Sequence, residues 1–476
     1  MAVSIDQAPL YNVLPIGQQI IFAVSENTIV AEKFKVKFIA EVHVSNEAIN
    51  LSSTNARIGT FKTTPNNEGV GIFDLRPILE TFVKPDNEGS TSYNGSRYKQ
   101  STTISESQAV GHPIHLIDNF AVSENSIKNF AIQFKVEWAE SRNGEMVTGK
   151  AANSDQYLFF NGVLQYDDVL TLTKGNYGYN LASINFYLGQ NGAGQFLTNA
   201  PAISHLTPAK ARLTDYGTVA FLDFLPAPTD EVLSFEFKYY YQGVLQDSET
   251  ILYDWARGGV STFGKWTSQH LIYLGAFPAN LRGWSTKFEA LITADTIDSY
   301  LIRPSNTGGQ TAGYWVDIIC PNERGYEGIR LAWLNQWGVW DYYTFNMKST
   351  RSIATKRIPY TQQGGTWNES TFKINGYKGG KKNFRVNSTE KIKINTDFVT
   401  EAEGVWFEEL INSQDVYIVN EYDGTEVAPY NTITNKYIEP VVLTTSSYVK
   451  KTIANDKLMQ YTFEIEKSKM KRTQAV

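Results

Sequence analysis

Regular alternation of apolar and polar residues predicts that this chain is built mainly from β-strands. From Phe34 to Val42 every second residue is apolar, and the residues between them include lysines and a glutamate. The run from Phe130 to Trp138 has the same pattern. A period of two is typical of a strand with one buried face and one solvated face. We therefore predict a half-buried strand in each run.

Both runs follow nearly the same octapeptide, which indicates an internal repeat. The two copies, residues 22–29 and 120–127, differ only by a Thr/Ser exchange. Their spacing of about one hundred residues matches the size of one β-sandwich module. We interpret an N-terminal region, 1–200, as two related sandwiches (about 16–115 and 116–200) or as one duplicated unit. A chance match in a single octapeptide is the alternative.

Prolines and a change of charge predict two further domain boundaries. Four prolines between Pro201 and Pro228 separate the repeat from the next strand-rich region, so we expect a central sandwich domain at 201–350. In that domain an alternating run ends at Gln242-Gly243, a typical hairpin turn. The C-terminal domain, 351–476, is expected to be α+β. The predicted fold class is mainly β, with immunoglobulin- or fibronectin-like sandwiches and a few short helices.

Two segments carry helix signals. Residues 74–83 have apolar residues at helical spacing after Asp74, which can cap a short amphipathic helix. Thr400 and Glu403 have the spacing of a capping box, which predicts a helix near 400–412. The apolar stripe expected on that helix consists of Ala402, Val405, Trp406 and Leu410.

Composition excludes several functional classes. The formal charge is −6, from 43 basic and 49 acidic residues, which argues against general electrostatic capture of nucleic acid or anionic lipid. A single cysteine cannot form an internal disulfide, and five histidines without partner cysteines make structural zinc improbable. No apolar stretch is long enough to span a membrane, and the N-terminus lacks the features of an export signal. We expect no membrane association.

The motifs that suggest enzyme chemistry are weak. The glycine loop Gly259–Lys265 has the spacing of a phosphate-binding loop, but Trp266 replaces the hydroxyl residue that would bind magnesium. Neighbouring acidic residues point to different sides of a strand or helix, so they form no matched catalytic pair by themselves. Cys320 is expected to be a small buried residue. We predict no enzyme activity, cofactor or metal site. The remaining weak candidates are His112 and His115 as metal ligands, and Asp167, Asp168, Asp254, Glu408 and Glu409 as catalytic carboxylates.

Three groups of residues are candidates for an interface. Aromatic residues around the turn Asn335–Gly338 are typical of core strands or a subunit contact, and could also stack on sugars. Between Arg351 and Lys393 ten residues are basic and two are acidic, whereas the helix after Thr400 is acidic. The basic stretch could contact DNA, pair with the acidic helix of a neighbouring copy, or be a solvated face. The candidate interface residues are Trp333, Trp337, Trp340, Tyr342, Arg351, Lys381, Lys382, Arg385, Glu401, Glu403, Glu408 and Glu409.

Three separated patches of the chain resemble neck and tail structural proteins of tailed bacteriophages, especially crAss-like phages of Bacteroidota. The first is residues 15–25 with the Phe-Asp-Leu-Arg-Pro-Ile-Leu segment that ends at Leu79. The second is the aromatic hairpin, 328–345. The third runs from Ile394 through the capped helix to Val441, with Ser446–Tyr448 and 458–466. The polar insertion at 85–111 has no counterpart in the resemblance.

The resemblance implies a non-enzymatic virion protein that is made in the bacterial cytoplasm and assembled as a homo-oligomeric ring. Such a ring would join portal-proximal and tail proteins around the DNA path, with phage DNA passing near its lumen. A different class of function is a tail adhesin or carbohydrate-binding module, in which Trp337, Trp340 and Tyr342 would stack on sugar rings. A polysaccharide depolymerase would require two carboxylates about 5–10 Å apart in a groove.

Overall fold

In the computed structural model the chain is mainly β, with several sheets and few short helices. It divides into two compact units. The first unit contains Met1–Cys320, Leu334–Tyr343 and Glu421–Thr434, and the second contains Pro321–Trp333, Thr344–Asn420 and Asn435–Val476. The residues that the structure describes are 3–9, 13–46, 49–52, 56–85, 120–122, 125–163, 196–223, 234–252, 270–306, 309–310, 313–320, 325–420, 438–449 and 459–473.

The strands up to Ile319 form four sheets. Their bounds are β1 Ser4–Gln7, β2 Val13–Pro15, β3 Ile21–Ser25, β4 Phe34–Ser45, β5 Arg57–Thr63, β6 Val70–Asp74, β7 Phe120–Val122, β8 Ile127–Ala139, β9 Met146–Thr148, β10 Ala152–Asn153, β11 Tyr157–Phe160, β12 Ala209–Arg212, β13 Thr218–Asp223, β14 Ser234–Tyr241, β15 Val244–Leu252, β16 His270–Gly275, β17 Ser299–Asn306, β18 Gly309–Gln310 and β19 Tyr314–Ile319. The sheet orders are β1-β3-β6, then β2-β11-β8-β4-β5 with β9 and β10 also on β8, then β12-β19-β17-β14-β15 with β18 on β17, and β13-β16-β7.

The β1-β3-β6 sheet packs face to face on the sheet that contains β4 and β8. Phe22 on β3 contacts Phe130 and Phe134 on β8, with ring centroids 6.4 and 5.6 Å apart. Phe73 on β6 contacts Phe134 at 5.7 Å. These rings belong to one continuous core that also includes the inward residues of β4. Alternating apolar residues from two sheets thus fill a shared layer between them.

The two halves of the sequence repeat share one sheet. β4 and β8, the strands that follow the two octapeptides, pair antiparallel, with Phe38 opposite Val136 and Val44 opposite Phe130. This pairing favours the alternative of one duplicated unit over separate sandwiches at 16–115 and 116–200, because backbone hydrogen bonds join the halves. The described ends of the two octapeptides also differ: the first ends inside helix α1 (Asn27–Glu32), whereas Ile127 of the second begins β8.

No boundary falls near residue 200 in the contact-defined units. β7, from the first two hundred residues, pairs antiparallel with β16, so the region expected at 201–350 is not separate from the N-terminal one. The hairpin at Gln242-Gly243 is confirmed, since it connects β14 to β15. Both turn residues have positive φ, 49° and 79°, as a two-residue turn requires. Phe221 on β13 contacts Phe235 on β14 at 5.1 Å and closes a second core in this unit.

The strands after residue 328 form one seven-stranded sheet with a helix packed on it. They are β20 Ile329–Leu334, β21 Trp340–Phe345, β22 Thr350–Gln362, β23 Gly380–Asn395, β24 Val416–Val419, β25 Ile438–Leu443 and β26 Thr462–Lys467, in the order β21-β20-β24-β25-β26-β23-β22. The division between the two units falls inside β21, after Tyr343. In the second unit, Phe407 of the helix contacts Phe463 on β26 at 5.6 Å. The boundary expected at 350 lies inside this unit.

The remaining helices are short, and the capping box is confirmed. They are α2 Arg76–Leu79, α3 Pro278–Trp284, α4 Thr286–Thr293 and α5 Glu401–Asn412. At the start of α5, Glu403 accepts from the Thr400 amide at 2.7 Å, and the Thr400 hydroxyl accepts from the Glu403 amide at 3.3 Å. The helix predicted at 74–83 is α2 followed by a 3-10 turn at Glu80–Phe82. Among the described residues, no helix has the length and apolar character needed to cross a membrane.

Two predicted apolar faces are partly wrong. Phe34 is 46% exposed, because Lys35 adopts a positive φ of 55° and the β4–β8 register shifts between Phe34 and Lys37. The inward alternation of β4 therefore starts beyond this irregularity. On α5, Val405 is 52% exposed, and Phe407 lies in the core in its place. The helix is rotated toward Trp406 and Phe407 because these larger rings bury more apolar surface against the sheet.

Candidate assembly surface

The aromatic hairpin is mostly internal. Trp333, Trp340 and Tyr342 are buried within the chain, and Trp333 packs on Trp406 of α5 with ring centroids 4.8 Å apart. The Tyr342 hydroxyl hydrogen-bonds the Thr218 hydroxyl at 3.0 Å. These three side chains are therefore core residues, and neither a sugar ring nor a neighbouring subunit can reach them in this conformation. The prediction of core strands flanking a turn is confirmed for β20 and β21.

The turn between these strands is fixed by one asparagine. The Asn335 side-chain oxygen accepts from the amides of Trp337 at 2.9 Å and Val339 at 3.3 Å. Trp337, the fourth candidate aromatic residue, is half-buried on this turn. Gly338 has a φ of +73°, which suits the tight turn. Of the four candidates, Trp337 alone has appreciable accessible surface in the described structure.

The basic stretch forms a long β-hairpin, which we call the arm (Thr350–Asn395). β22 and β23 pair antiparallel along 13 rows, from Thr350 opposite Lys393 to Gln362 opposite Gly380. At about 3.4 Å per residue, the 13 residues of β22 extend about 44 Å. β22 is the last strand of its sheet, and β26 pairs with β23 only from Lys391 to Asn395. Beyond that base and residues 387–390 of β23, which are half-buried or buried and include the bridge from Ser388 to Lys471, the arm is a two-stranded ribbon exposed on both faces.

The base of the arm is anchored by ion pairs. Arg351 contacts Glu327 at 2.8 Å and Glu390 at 3.4 Å, and Lys471 contacts Glu390 at 2.9 Å. The hydrogen bond from Lys471 holds the pKa of Glu390 below its usual value, with Lys467 and Arg351 acting in the same direction against its burial. Arg351 therefore stabilises the base of the arm through ion pairs within its own unit.

Further out, Lys373 lies 3.8 Å from Glu369, whereas most of the other basic side chains have no acidic partner among the described residues. Lys356, Arg357, Lys381, Lys382 and Arg385 are exposed and form no ion pair with any described carboxylate. Opposite residues of an antiparallel pair share one face, so Lys382 lies beside Tyr360 and Arg385 beside Ile358. One face of the arm therefore alternates basic with large apolar side chains. The predicted Lys381, Lys382 and Arg385 lie together on this distal part.

The arm also exposes an unusual amount of apolar surface. Trp367 is 75% exposed and Ile374 is 86% exposed, both in the segment that joins β22 to β23. Exposed apolar patches of this kind mark interaction sites more often than ordinary surface. The large exposed apolar side chains of the arm are Ile353, Ile358, Tyr360, Trp367, Phe372, Ile374, Tyr377, Phe384 and Val386. The charges of the stretch were visible in the sequence, whereas this exposure was not predicted.

The end of the arm has a defined fold. The Thr366 amide donates to the Lys373 carbonyl at 3.0 Å, and the Thr366 hydroxyl accepts from the Lys373 amide at 3.0 Å. Gly365 adopts a φ of +72°, and a Cβ there would lie 2.4 Å from the Lys373 carbonyl oxygen. This close approach requires glycine. The exposed aromatic residues at the end of the arm are therefore presented by an ordered loop.

The acidic helix is a poor counterpart for the arm. Glu403 is used in the capping box, and Glu408 and Glu409 are only partly exposed and make further contacts. Glu401 is the one exposed member of the four candidate glutamates. The four carboxylates therefore do not form an accessible acidic face for a basic arm to bind.

Potential metal ligands do not cluster in the described residues. There, no group of three or more histidine, cysteine or acidic side chains could hold a metal ion. Cys320 is exposed, so its expected burial was wrong; it follows the end of β19 and is directed to solvent. Burial, reinforced by Asp298, raises the pKa of Asp317 to about 6. Candidates outside the described residues are His112, His115, Asp167, Asp168, Asp254, the Gly259–Lys265 loop and the insertion at 86–111.

No family model matches the chain, and no curated protein matches it.

Proposed function

We propose that this chain is a non-enzymatic structural protein of a tailed-phage virion, assembled as a homo-oligomeric ring in the neck or tail. In this proposal its paired sheets are immunoglobulin- or fibronectin-like modules, and the ring joins portal-proximal and tail proteins around the DNA path. The resemblance of the three sequence patches supplies the virion context. The observation that carries the assembly role is the exposed arm, described above.

The arm suits a repeated contact between copies. A ring requires a heterologous interface, in which one surface of each subunit meets a different surface of the next. The arm has a net charge of +8 from ten basic and two acidic residues between Arg351 and Lys393. Because the whole chain carries −6, the remainder carries −14. A basic, partly apolar projection on an otherwise acidic subunit favours docking of one copy onto another.

The adhesin alternative loses most of its residue support. Two of its three sugar-stacking candidates, Trp340 and Tyr342, are buried. A sugar platform requires the flat faces of aromatic rings to be open to the ligand. Binding to host cells or glycan therefore remains an outcome of the test and is not proposed in parallel.

Light scattering across salt concentration tests the proposal, first with the purified protein and then with the other virion proteins, alongside negative-stain imaging. The matched variant replaces Ile358–Arg385 with Asn-Gly, which joins Arg357 to Val386 by a two-residue turn and leaves the base of the arm intact. We expect rings of the wild-type protein, alone or with partners, and their loss in the variant. A persistent monomer or small oligomer that binds glycan would overturn the ring and favour the adhesin.

A further inference from the structure

A second surface complements the arm in both charge and polarity: the outer face of the β1-β3-β6 sheet, which we call the acidic sheet. The inner face of this sheet, with Phe22, Val24 and Phe73, lies in the core. On the outer face, Ala23 is opposite Ile72, and Ser25 is opposite Val70. Ile72 is 52% exposed, and the other apolar residues of this face are half-buried. The centre of the outer face is therefore apolar.

The charged side chains of the three strands, Asp6 and Asp74, are acidic. Residues 1–32 and 63–75, which contain the three strands and their adjoining turns, include no lysine or arginine, and the nearest basic residues in the sequence, Lys33, Lys62 and Arg76, lie just outside these segments. Asp6, Glu68 and Asp74 are exposed there and form no ion pair with any described basic residue. A surface with an apolar centre and uncompensated carboxylates at its rim is the complement of a basic ribbon that exposes isoleucine and tyrosine.

We propose that the arm of one copy docks on the acidic sheet of a second copy; this rests on the proposed function, because it specifies how the ring subunits meet. The face of the arm with Ile358 and Tyr360 covers the apolar centre, and Lys356, Lys382 and Arg385 meet the acidic rim. The two surfaces have similar lengths, since β3 and β6 of the acidic sheet have five residues each, as does the arm segment Lys356–Tyr360. Face-to-face packing of two such layers follows the usual geometry of sheets about 10 Å apart.

Nucleic acid is the other partner that a basic β-ribbon can bind, and the side chains favour protein. A two-stranded ribbon fits the major groove of DNA, where Lys and Arg contact phosphates. The arm, however, also exposes several aliphatic side chains, including Ile353, Ile374 and Val386. These have little to contact on a phosphate backbone, whereas protein interfaces bury such residues at their centres. DNA binding is therefore an outcome that the experiment must separate.

Charge reversal on each surface, followed by mixing, tests the contact. The arm variant is Lys356→Glu/Arg385→Glu, and the sheet variant is Asp6→Lys/Glu68→Lys, which spares the Asp74 carboxylate that accepts from the Arg76 amide. A control, Arg142→Glu/Lys150→Glu, makes the same change in charge as the arm variant at exposed positions outside both surfaces. Self-association is measured by light scattering at low salt, mixed association by capture of a tagged variant, and folding by circular dichroism.

We expect each variant alone to associate about a hundredfold more weakly than the wild type, because like charges then meet at the contact. The control should associate normally. A mixture of the arm and sheet variants should recover association, since an acidic arm then meets a basic sheet, and the unchanged arm meets the unchanged sheet. Recovery in the mixture cannot arise from misfolding.

Three results would overturn the contact in distinguishable ways. If the sheet variant forms the same oligomers as the wild type, this contact is rejected while the ring stands. The same holds if association is not recovered when the two variants are mixed. Loss of binding to a mixed-sequence DNA duplex in the arm variant, with self-association unchanged, would assign the arm to nucleic acid instead. A wild type that stays monomeric alone and with all virion proteins would reject the proposed function together with the contact.

Discussion

Gly338, in the turn of the aromatic hairpin, provides a sharp test of how the first unit is held together. It adopts a φ of +73°, and a Cβ at this position would lie 1.6 Å from the Asn161 carbonyl oxygen. Gly243, in the β14–β15 turn, has a similar φ of +79° but has nothing within 4 Å of its Cβ position. Alanine at the two positions therefore imposes the same backbone strain, and only Gly338→Ala adds a clash.

The expected losses in the free energy of unfolding differ between the two variants. Left-handed backbone costs an alanine about 1–2 kcal/mol, which is the whole effect expected for Gly243→Ala. At Gly338 the clash is with backbone, so the segment around Asn161 must move, and overpacking of this kind adds about 1–3 kcal/mol. We therefore expect Gly338→Ala to destabilise the first unit by about 2–5 kcal/mol.

Tryptophan fluorescence during urea unfolding is a suitable assay, because Trp337 and Trp340 flank Gly338. Midpoints should be compared between variants, since a chain of two units need not unfold in one step. Hydrogen exchange adds a local measurement: the Val163 amide donates to the Gln336 carbonyl at 2.7 Å and should exchange faster in Gly338→Ala alone. Equal losses in the two variants would refute the steric argument and show that the Asn161 segment yields freely.

Three further predictions follow from the described contacts. Replacing Lys381, Lys382 and Arg385 with Glu should weaken assembly most at low salt, because these side chains have no acidic partner among the described residues of their own chain. An unchanged oligomer mass by light scattering would contradict this prediction. Thr400→Ala should cost about 1 kcal/mol by removing the α5 cap, whereas Thr400→Ser should retain most of it, as measured by urea unfolding with circular dichroism. Asp317→Asn should raise the thermal unfolding midpoint at pH 8 and lose this advantage near pH 4. Burial raises the pKa of Asp317 from 3.8 to about 6, so the ionised carboxyl destabilises the fold above that pH, and this destabilisation disappears as the carboxyl is protonated. A constant difference in midpoint between Asp317→Asn and the wild type across pH would contradict the prediction.

Features determined by neighbouring residues were predictable from the sequence. The turn at Gln242-Gly243, the capping box of Thr400 and Glu403, and the strands around Asn335 all match the structure. Each depends on side chains within a few residues of one another. The mainly β class was predictable for the same reason, because alternation reports a half-buried strand locally.

Pairing between distant strands was not predictable in this way. The octapeptide repeat suggested two sandwiches or one duplicated unit, whereas the structure pairs β4 with β8 in one sheet, and β7 with β16 about 150 residues later. Alternation shows that a strand has a buried face but carries no information on which strand lies beside it. A solvated face was one reading of the basic stretch, but the exposed apolar side chains of the arm were not predicted, because a ribbon solvated on both faces has no buried side to impose a period of two.

The arm also poses a physical problem for the isolated chain, and the solution predicts how its assembly should respond to salt. A long edge strand such as β22 with exposed isoleucine and tyrosine is a hazard for non-specific edge-to-edge pairing. Mutual repulsion among the unpaired lysines and arginines opposes that pairing between arms, whereas attraction to an acidic surface favours specific docking. Added salt screens both effects. Specific oligomers should therefore dissociate as salt rises, while any non-specific aggregate should grow, so the direction of the mass change separates the two kinds of association.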